Sequence, residues 1–334
     1  MTSVSESAKH GFVYANGIRM HYVEQGEGPL VLLCHGWPES WYSWRKQLPA
    51  LAAAGYRVVA PDQRGYGLTD APTEVEAYDI LQLTGDLVGL VHALGETQAV
   101  LIGHDWGSMV AAPAAMMRPD MFRGLGLLSV PYIPRRPMRP AVRFRLATQE
   151  RHFYQDYFQQ RDHVERELEE DVRRSLLGIL YTASADGVSS HPGSGFATFE
   201  KTTRMVDNLV VPDQLPTWLS EEDLSVFVGQ FERSGFYGPT NWYRNLDRNW
   251  QLTPFLEQAK ILQPTVFIAG ASDGVLKMAA EEFKALEDNV PNLRGKHLVP
   301  HAGHWVQQEQ PTLVNDLLLD FLEGLSGGHP IPPT

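Results

Sequence analysis

The stretch Val100-Leu101-Ile102-Gly103-His104-Asp105-Trp106-Gly107-Ser108 holds the residue best suited to covalent chemistry. An apolar, strand-like run ends in small-x-Asp-x-small and passes straight into a helical pattern. Small residues on both sides let the strand and helix backbones approach, so the turn thrusts one side chain outward. In the common Gly-x-Ser-x-Gly version of such an elbow that side chain is a serine; here it is Asp105. A carboxylate, with a reference pKa of about 3.9, is ionised at neutral pH and needs no base to activate it. It also forms an ester with an sp³ carbon. Asp105 therefore points to displacement at an alkyl carbon rather than to acyl transfer. The pentapeptide alone equally fits a helix N-cap, so its partners decide.

An ester on Asp105 has to be hydrolysed, which calls for a base and an acid that orients it. Asp273 lies in the loop after the strand-like run Thr265-Val266-Phe267-Ile268-Ala269-Gly270. His304 follows the last such run, in His301-Ala302-Gly303-His304-Trp305. His304 would take a proton from water while Asp273 holds its tautomer. His301 competes for the base role, but His304 is preferred because it follows the Ala-Gly turn. The two histidines lack an H-E-x-x-H context, and neither a metal nor an organic cofactor is expected. Backbone N–H groups of Trp106, after the nucleophile, and Trp37, after the apolar run ending in Leu33-Cys34-His35-Gly36, are candidates for an oxyanion hole. His35 reads as a structural hydrogen-bonding group rather than a catalyst. Asp62-Gln63-Arg64-Gly65-Tyr66-Gly67 superficially suggests a phosphate loop, but the glycine order and a nearby lysine are missing; it reads as a structural turn.

These residues need a frame. Strands are predicted at Arg19–Val23, Leu30–His35, Arg57–Ala60, Ala99–Gly103, Gly124–Ser129, Thr265–Ala269 and Lys296–Val299. Helical patterns lie between them at Tyr42–Ala54, Ile80–Leu94 and Gly107–Met117, with a last helix near Thr312–Leu325. The alternation predicts an α/β fold with a mostly parallel sheet flanked by helices, opening with an antiparallel edge hairpin. It stops after Pro131. Residues 134–250 show helical spacing, including one apolar stripe through Val164, Leu168, Val172 and Leu176. They read as a helical cap inserted between two core parts, 1–133 and 251–334, over the carboxyl ends of the strands, where open α/β sheets bind ligands. The tail 326–334 reads as disordered.

The chain has 334 residues, 43% hydrophobic and 20% charged, which suits a sizeable core. A net charge of −12 argues against nucleic acid and anionic membranes as partners. No apolar stretch approaches the length of a membrane span, and Met1–Ser7 lacks the layout of a signal peptide. The single cysteine, Cys34, reads as a buried core residue and fits a cytoplasmic location. A homodimer is the expectation for any assembly, as the commonest closed form.

The chain resembles the α/β-hydrolase-fold epoxide hydrolases of the soluble type along nearly its whole length. The matching residues are His35-Gly36-Trp37-Pro38-Glu39-Ser40, Gly103-His104-Asp105-Trp106-Gly107, Asp273 and Gly303-His304-Trp305. Nucleophile, acid, histidine is also the chain order of α/β-hydrolase triads. Two cap stretches, Tyr154-Gln155-Asp156-Tyr157-Phe158-Gln159 and Gly235 to Asn245, resemble the family's two lid-tyrosine regions. The resemblance implies a lipophilic epoxide as substrate, opened by Asp105 while two phenols bond the developing alkoxide. Tyr157 and Tyr243 are expected to be those donors, with Tyr154 a competitor for the first place and Tyr237 behind. His35, Trp37, Trp106, Tyr154 and Trp242 are expected around the substrate, and Phe153 adds to the apolar surroundings. The implied reaction is a detoxifying hydrolysis to a vicinal diol, with no metal or organic cofactor. A haloalkane or haloacetate dehalogenase is the nearest rival, although some dehalogenases place Asn at the Trp37 position and haloacetate types place Arg after the nucleophile. A non-catalytic ligand-binding relative is the rival from another class.

Overall fold

The computed structural model describes residues 8–326 apart from Ser194. The Met1–Ser7 stretch and the tail beyond Ser326 lie outside them. Ten strands form in chain order: β1 Lys9–Ala15, β2 Ile18–Gln25, β3 Leu30–Cys34, β4 Arg57–Pro61, β5 Ala99–His104, β6 Phe122–Leu128, β7 Arg151–Phe153, β8 Thr198–Glu200, β9 Thr265–Gly270 and β10 Leu293–Val299. Eight build one sheet in the order β1-β2-β4-β3-β5-β6-β9-β10, and β7 and β8 form a separate ribbon. β1 and β2 make the antiparallel hairpin, β2 also runs antiparallel to β4, and every later pairing in the large sheet is parallel.

A parallel sheet covered on both faces needs apolar side chains on both. Along β3, Val31 and Leu33 pack on one face while Leu30, Leu32 and Cys34 pack on the other. Along β5, Val100 and Ile102 join the first face and Leu101 the second. Helix Trp106–Met117 follows β5 directly. Helix Ile80–Ala93 starts at Asp79, whose side chain accepts the N–H groups of Leu81 and Gln82. Cys34 is buried in β3, and burial pushes its thiol up to about 12. The Asp62–Gly67 turn is structural: Asp62 bonds His21 at 2.8 Å and Arg64 pairs with Asp86 at 2.6 Å.

Several elements differ from expectation. The pattern over 42–54 splits into a 3-10 turn, Trp41–Trp44, and a helix, Gln47–Ala53. Strand β6 ends one residue early because Ser129 turns to φ 65°. The stripe from Val164 to Leu176 belongs to two helices, Val164–Glu169 and Val172–Ala183. Asp171 breaks it by accepting the Arg174 N–H at 2.9 Å, which starts a new helix.

Between β6 and β9 the described residues add no strand to the large sheet. It forms helices, among them Pro140–Ala147, Glu221–Ser234 and Tyr237–Arg244, besides the β7–β8 ribbon. Phe158, Leu176, Phe227 and Trp242 of this segment share one apolar cluster with Leu32 and Leu101 of the sheet. The helical segment thus shares one continuous apolar cluster with the sheet.

Candidate active site

Asp105 follows the last residue of β5 with φ 52° and ψ −117°, a region that costs a non-glycine residue of order 1–3 kcal/mol. The glycines around it explain how so tight a turn is possible. A Cβ on Gly107 would lie 1.9 Å from the Cys34 carbonyl oxygen, and one on Gly103 would lie 2.3 Å from the Gly107 backbone. Although it stands at the N-cap position, the Asp105 side chain makes no cap bond to its own helix. Its Oδ1 instead accepts the Trp37 N–H at 3.0 Å, and its Oδ2 faces His304 Nε2 at 3.5 Å.

His304 Nδ1 lies 3.2 Å from both carboxylate oxygens of Asp273. Asp273 also caps the next helix, its Oδ1 accepting the Val275 N–H at 2.8 Å. The turn-residue and acid readings of this side chain coincide. The His304 N–H donates to the Ala183 carbonyl at 2.9 Å, and its own carbonyl accepts from Ser129 Oγ at 2.7 Å. His301, the rival base, is exposed at φ 57°, away from these groups.

Charge and burial act together here. Burial alone would raise the Asp105 pKa, yet the hydrogen bond and charge of His304, the charge of His104 and the Trp37 N–H hold it below the usual carboxylate range. Burial likewise opposes a charged His304, but Asp273 and Asp105 outweigh it and push the imidazole well above its ordinary value. The two carboxylates on either side of His304 thus favour its charged form.

Asp105, Trp106, Tyr154 and Tyr243 line one cavity of about 300 Å³. The two phenol rings meet with centroids 5.8 Å apart at 73°. Burial, with the charge of Asp105, raises the pKa of both hydroxyls, so they are firmly protonated donors. Tyr157 is elsewhere. Its hydroxyl donates to Glu167 Oε1 and lies 2.7 Å from His163 Nε2, while its ring packs on His152 and Phe199 of the β7–β8 ribbon. Of these two tyrosines it is Tyr154 that lines the cavity with Asp105. Both tyrosines share the one-turn helix Tyr154–Tyr157, so their place in the chain does not separate them; the partners Glu167 and His163 of Tyr157 do.

Residues 29–311 match the family model of the alpha/beta hydrolase fold. The chain is 42% identical to Epoxide hydrolase A and 40% to Epoxide hydrolase B of Mycobacterium tuberculosis. These matches cover 94% and 96% of this chain, and 97% and 99% of the two relatives. The chain belongs to the epoxide hydrolases. A solved epoxide hydrolase from an endophytic Streptomyces superposes with a TM-score of 0.94 at 44% identity, covering 97% of this chain and 98% of that one.

Within this epoxide hydrolase frame two further corrections arise. His35 offers no free ring atom to a substrate: Nδ1 donates to the Gly36 carbonyl at 2.9 Å and Nε2 accepts the Gln63 N–H at 3.1 Å. Trp242 is buried behind the cavity wall, donating to the Arg64 carbonyl at 3.1 Å and bracing Trp106 edge-on at 5.7 Å. Trp37 packs its ring against Phe158 and Tyr243. Phe153 lines the cavity as expected of an apolar neighbour.

One pair had no assigned role in the sequence reading. His104 Nδ1 lies 2.6 Å from Glu39 Oε2, and His104 Nε2 faces the His304 carbonyl at 2.8 Å. A carbonyl can only accept, so His104 Nε2 is the donor to it, while Nδ1 faces the Glu39 carboxylate. Glu39 also accepts the Gly36 N–H at 2.7 Å. Both residues stand in motifs that were quoted for the resemblance, but their pairing spans 65 positions and leaves no local trace. Among the described residues no group of three or more His, Cys, Asp or Glu is arranged to hold a metal ion. None of the described helices is long and apolar enough to cross a membrane.

Proposed function

We propose that this chain hydrolyses lipophilic epoxides to vicinal diols through an ester on Asp105. The observation that carries the reading is the shared cavity of Asp105, Tyr154 and Tyr243, with one carboxylate oxygen already held by the Trp37 N–H. Oδ2 attacks a ring carbon from behind as the ring C–O bond breaks. The leaving oxygen takes its proton from the phenol pair, of which Tyr154 rather than Tyr157 is the first member. Oδ1, as the ester carbonyl, keeps the Trp37 N–H that it already accepts, and the Trp106 N–H is the second proposed donor to the oxyanion.

Esterification removes the Asp105 charge, and with it one of the two carboxylates that raise the His304 pKa. His304 can then shed its proton, which returns through water to the phenolate left by ring opening, and act as base. Oriented by Asp273, it takes a proton from water as the water oxygen attacks the ester carbonyl. The tetrahedral intermediate collapses with cleavage of its bond to the diol oxygen. The diol leaves with the proton that His304 held, and the Asp105 carboxyl then gives its own proton to His304, which restores the starting charges.

The helical segment 134–250 is the cap in this scheme, because it supplies both phenols. The single buried cysteine suits a reducing compartment such as the cytoplasm, where destroying reactive epoxides is detoxifying chemistry. The phenol pair favours this reading over a dehalogenase, whose halide leaving group needs no proton.

The test is trapping. With a styrene-type epoxide, His304→Gln is expected to gain the mass of one substrate on intact-protein mass spectrometry, and Asp105→Asn is expected to gain none. Diol formation should be lost in both. Absence of any adduct in His304→Gln, with no diol from the unaltered protein, would overturn the scheme.

A further inference from the structure

The cavity above Asp105 runs outward past helix Pro140–Ala147 and past Met278 and Glu282, and its outer wall has an unexpected charge. In a chain of net charge −12, residues 134–145 carry five arginines (135, 136, 139, 143 and 145) and no acidic residue. Three of them are paired. Arg135 meets Glu257 at 3.2 Å with its guanidinium 4.0 Å above the Trp250 ring, Arg136 pairs with Glu282, and Arg139 pairs with Asp247. Arg143 lines the cavity half-buried, and no ion pair or hydrogen bond to it occurs among the described residues. Glu282, the carboxylate near it, is already taken by Arg136.

We propose that Arg143 is a binding subsite for an anionic group on the substrate, so that the enzyme favours epoxides carrying a carboxylate separated from the ring by an apolar spacer. This rests on the Asp105 reading of the inner cavity. The apolar wall between the two ends, with Met109, Pro113, Met116 and Phe144, suits the spacer. A guanidinium presents a planar fork matched to a carboxylate, and a charged bond of this kind outlasts partial exposure better than a neutral one. The site is also under-compensated as it stands. Burial and the neighbouring Arg136 cation both disfavour the Arg143 charge, and Glu282 offsets them only in part. A bound carboxylate would supply the missing negative charge. The paired arginines around it are neutralised by their carboxylates, so Arg143 is the uncompensated charge on this wall and disfavours a cationic alternative.

The experiment compares kcat/KM for one aryl epoxide acid and for its methyl ester, each on the unaltered protein, Arg143→Gln and Arg143→Lys. The unaltered protein is expected to prefer the acid about tenfold, mostly through KM, and the preference should shrink as salt is added. In Arg143→Gln the ratio should fall to about one, with Arg143→Lys in between because it keeps the charge and loses the fork. The ratio is internal to each variant, so a general loss of folding or activity does not mimic the result. Equal kcat/KM for acid and ester on the unaltered protein, or an undiminished ratio in Arg143→Gln, would overturn the subsite. Should neither compound be turned over, the Asp105 reading falls separately. The subsite is then decided by calorimetry of the acid against the ester, where equal affinity overturns it and acid-selective binding lost in Arg143→Gln supports it.

Discussion

Two tyrosines three positions apart take different jobs because their hydroxyls find different company. Tyr154 lines the cavity beside Tyr243, whereas Tyr157 is committed to Glu167 and His163. Tyr154→Phe is expected to slow ester formation roughly a hundredfold, the low end for loss of a positioned proton donor. Tyr157→Phe should leave ester formation near the parent rate and cost about 1 kcal/mol of stability from its buried hydrogen bond. Single-turnover mass spectrometry and urea denaturation separate the two. A larger rate loss in Tyr157→Phe would reverse the assignment.

The pH dependence follows from the same residues. Asp105 has a lowered pKa, so its nucleophilic form survives acid beyond the usual range near 4, and attack on the epoxide persists there. In the ester Asp105 no longer raises the His304 pKa but Asp273 still does, so falling pH protonates the base and stops ester hydrolysis first. Lowering the pH should therefore make the ester accumulate during turnover, visible after an acid quench. Hydrolysis that is slower at higher pH would contradict the sign. The juxtaposition of Asp105, Asp273 and His304 was legible because each follows its own strand at a turn with local signals. The choice of Tyr154 was not, since the competing partners Glu167 and His163 stand on another element.

At the scale of elements, strands were read correctly wherever both faces alternate into a covered sheet, as in β3 and β5. Reading failed where one polar side chain overrides an apolar period, as at Asp171. It also missed how the His304 loop is fastened. Glu309 accepts the N–H groups of Gly303 at 2.9 Å and Trp305 at 3.0 Å, bracketing His304, and also the Ala185 N–H of the helical segment at 2.8 Å. A Cβ on Gly303 would lie 2.5 Å from the Ala185 nitrogen, so loop and segment touch without room for a side chain. Burial pushes the Glu309 carboxyl up to about 7 against these three donors. An amide there turns an NH₂ toward at least one N–H and leaves that donor unpaired. Glu309→Gln should cost about 1–3 kcal/mol in urea denaturation. It should also slow ester hydrolysis more than ester formation, because the base is displaced while Asp105 and the phenols are not. Equal slowing of both steps would mean that the clamp serves only the fold.

At the scale of the molecule, the site exists only while the sheet and the helical segment stay registered. Asp105, Asp273 and His304 sit beyond the carboxyl ends of β5, β9 and β10, while both phenols come from the segment between β6 and β9. Arg45 is one fixed point between the two bodies. It is buried beside the 3-10 turn Trp41–Trp44, and its Nε lies 2.7 Å from Asp223 Oδ1 on helix Glu221–Ser234. Its Nη1 donates to Gln308 Oε1 at 2.7 Å, next to Glu309, so one side chain links segment, sheet and the base loop. Removing one partner of a buried pair strands the other charge, at a cost of about 3–5 kcal/mol. Arg45→Met is expected near the lower bound, because Asp223 keeps its bonds to Ser220 and Tyr42. The loss should appear as a lower urea midpoint with unchanged slope if sheet and segment unfold together. Ester formation should slow as well, since the phenols lose their register over Asp105. A midpoint within 1 kcal/mol of the parent, with ester formation intact, would mean that the shared apolar cluster alone holds the two bodies in place.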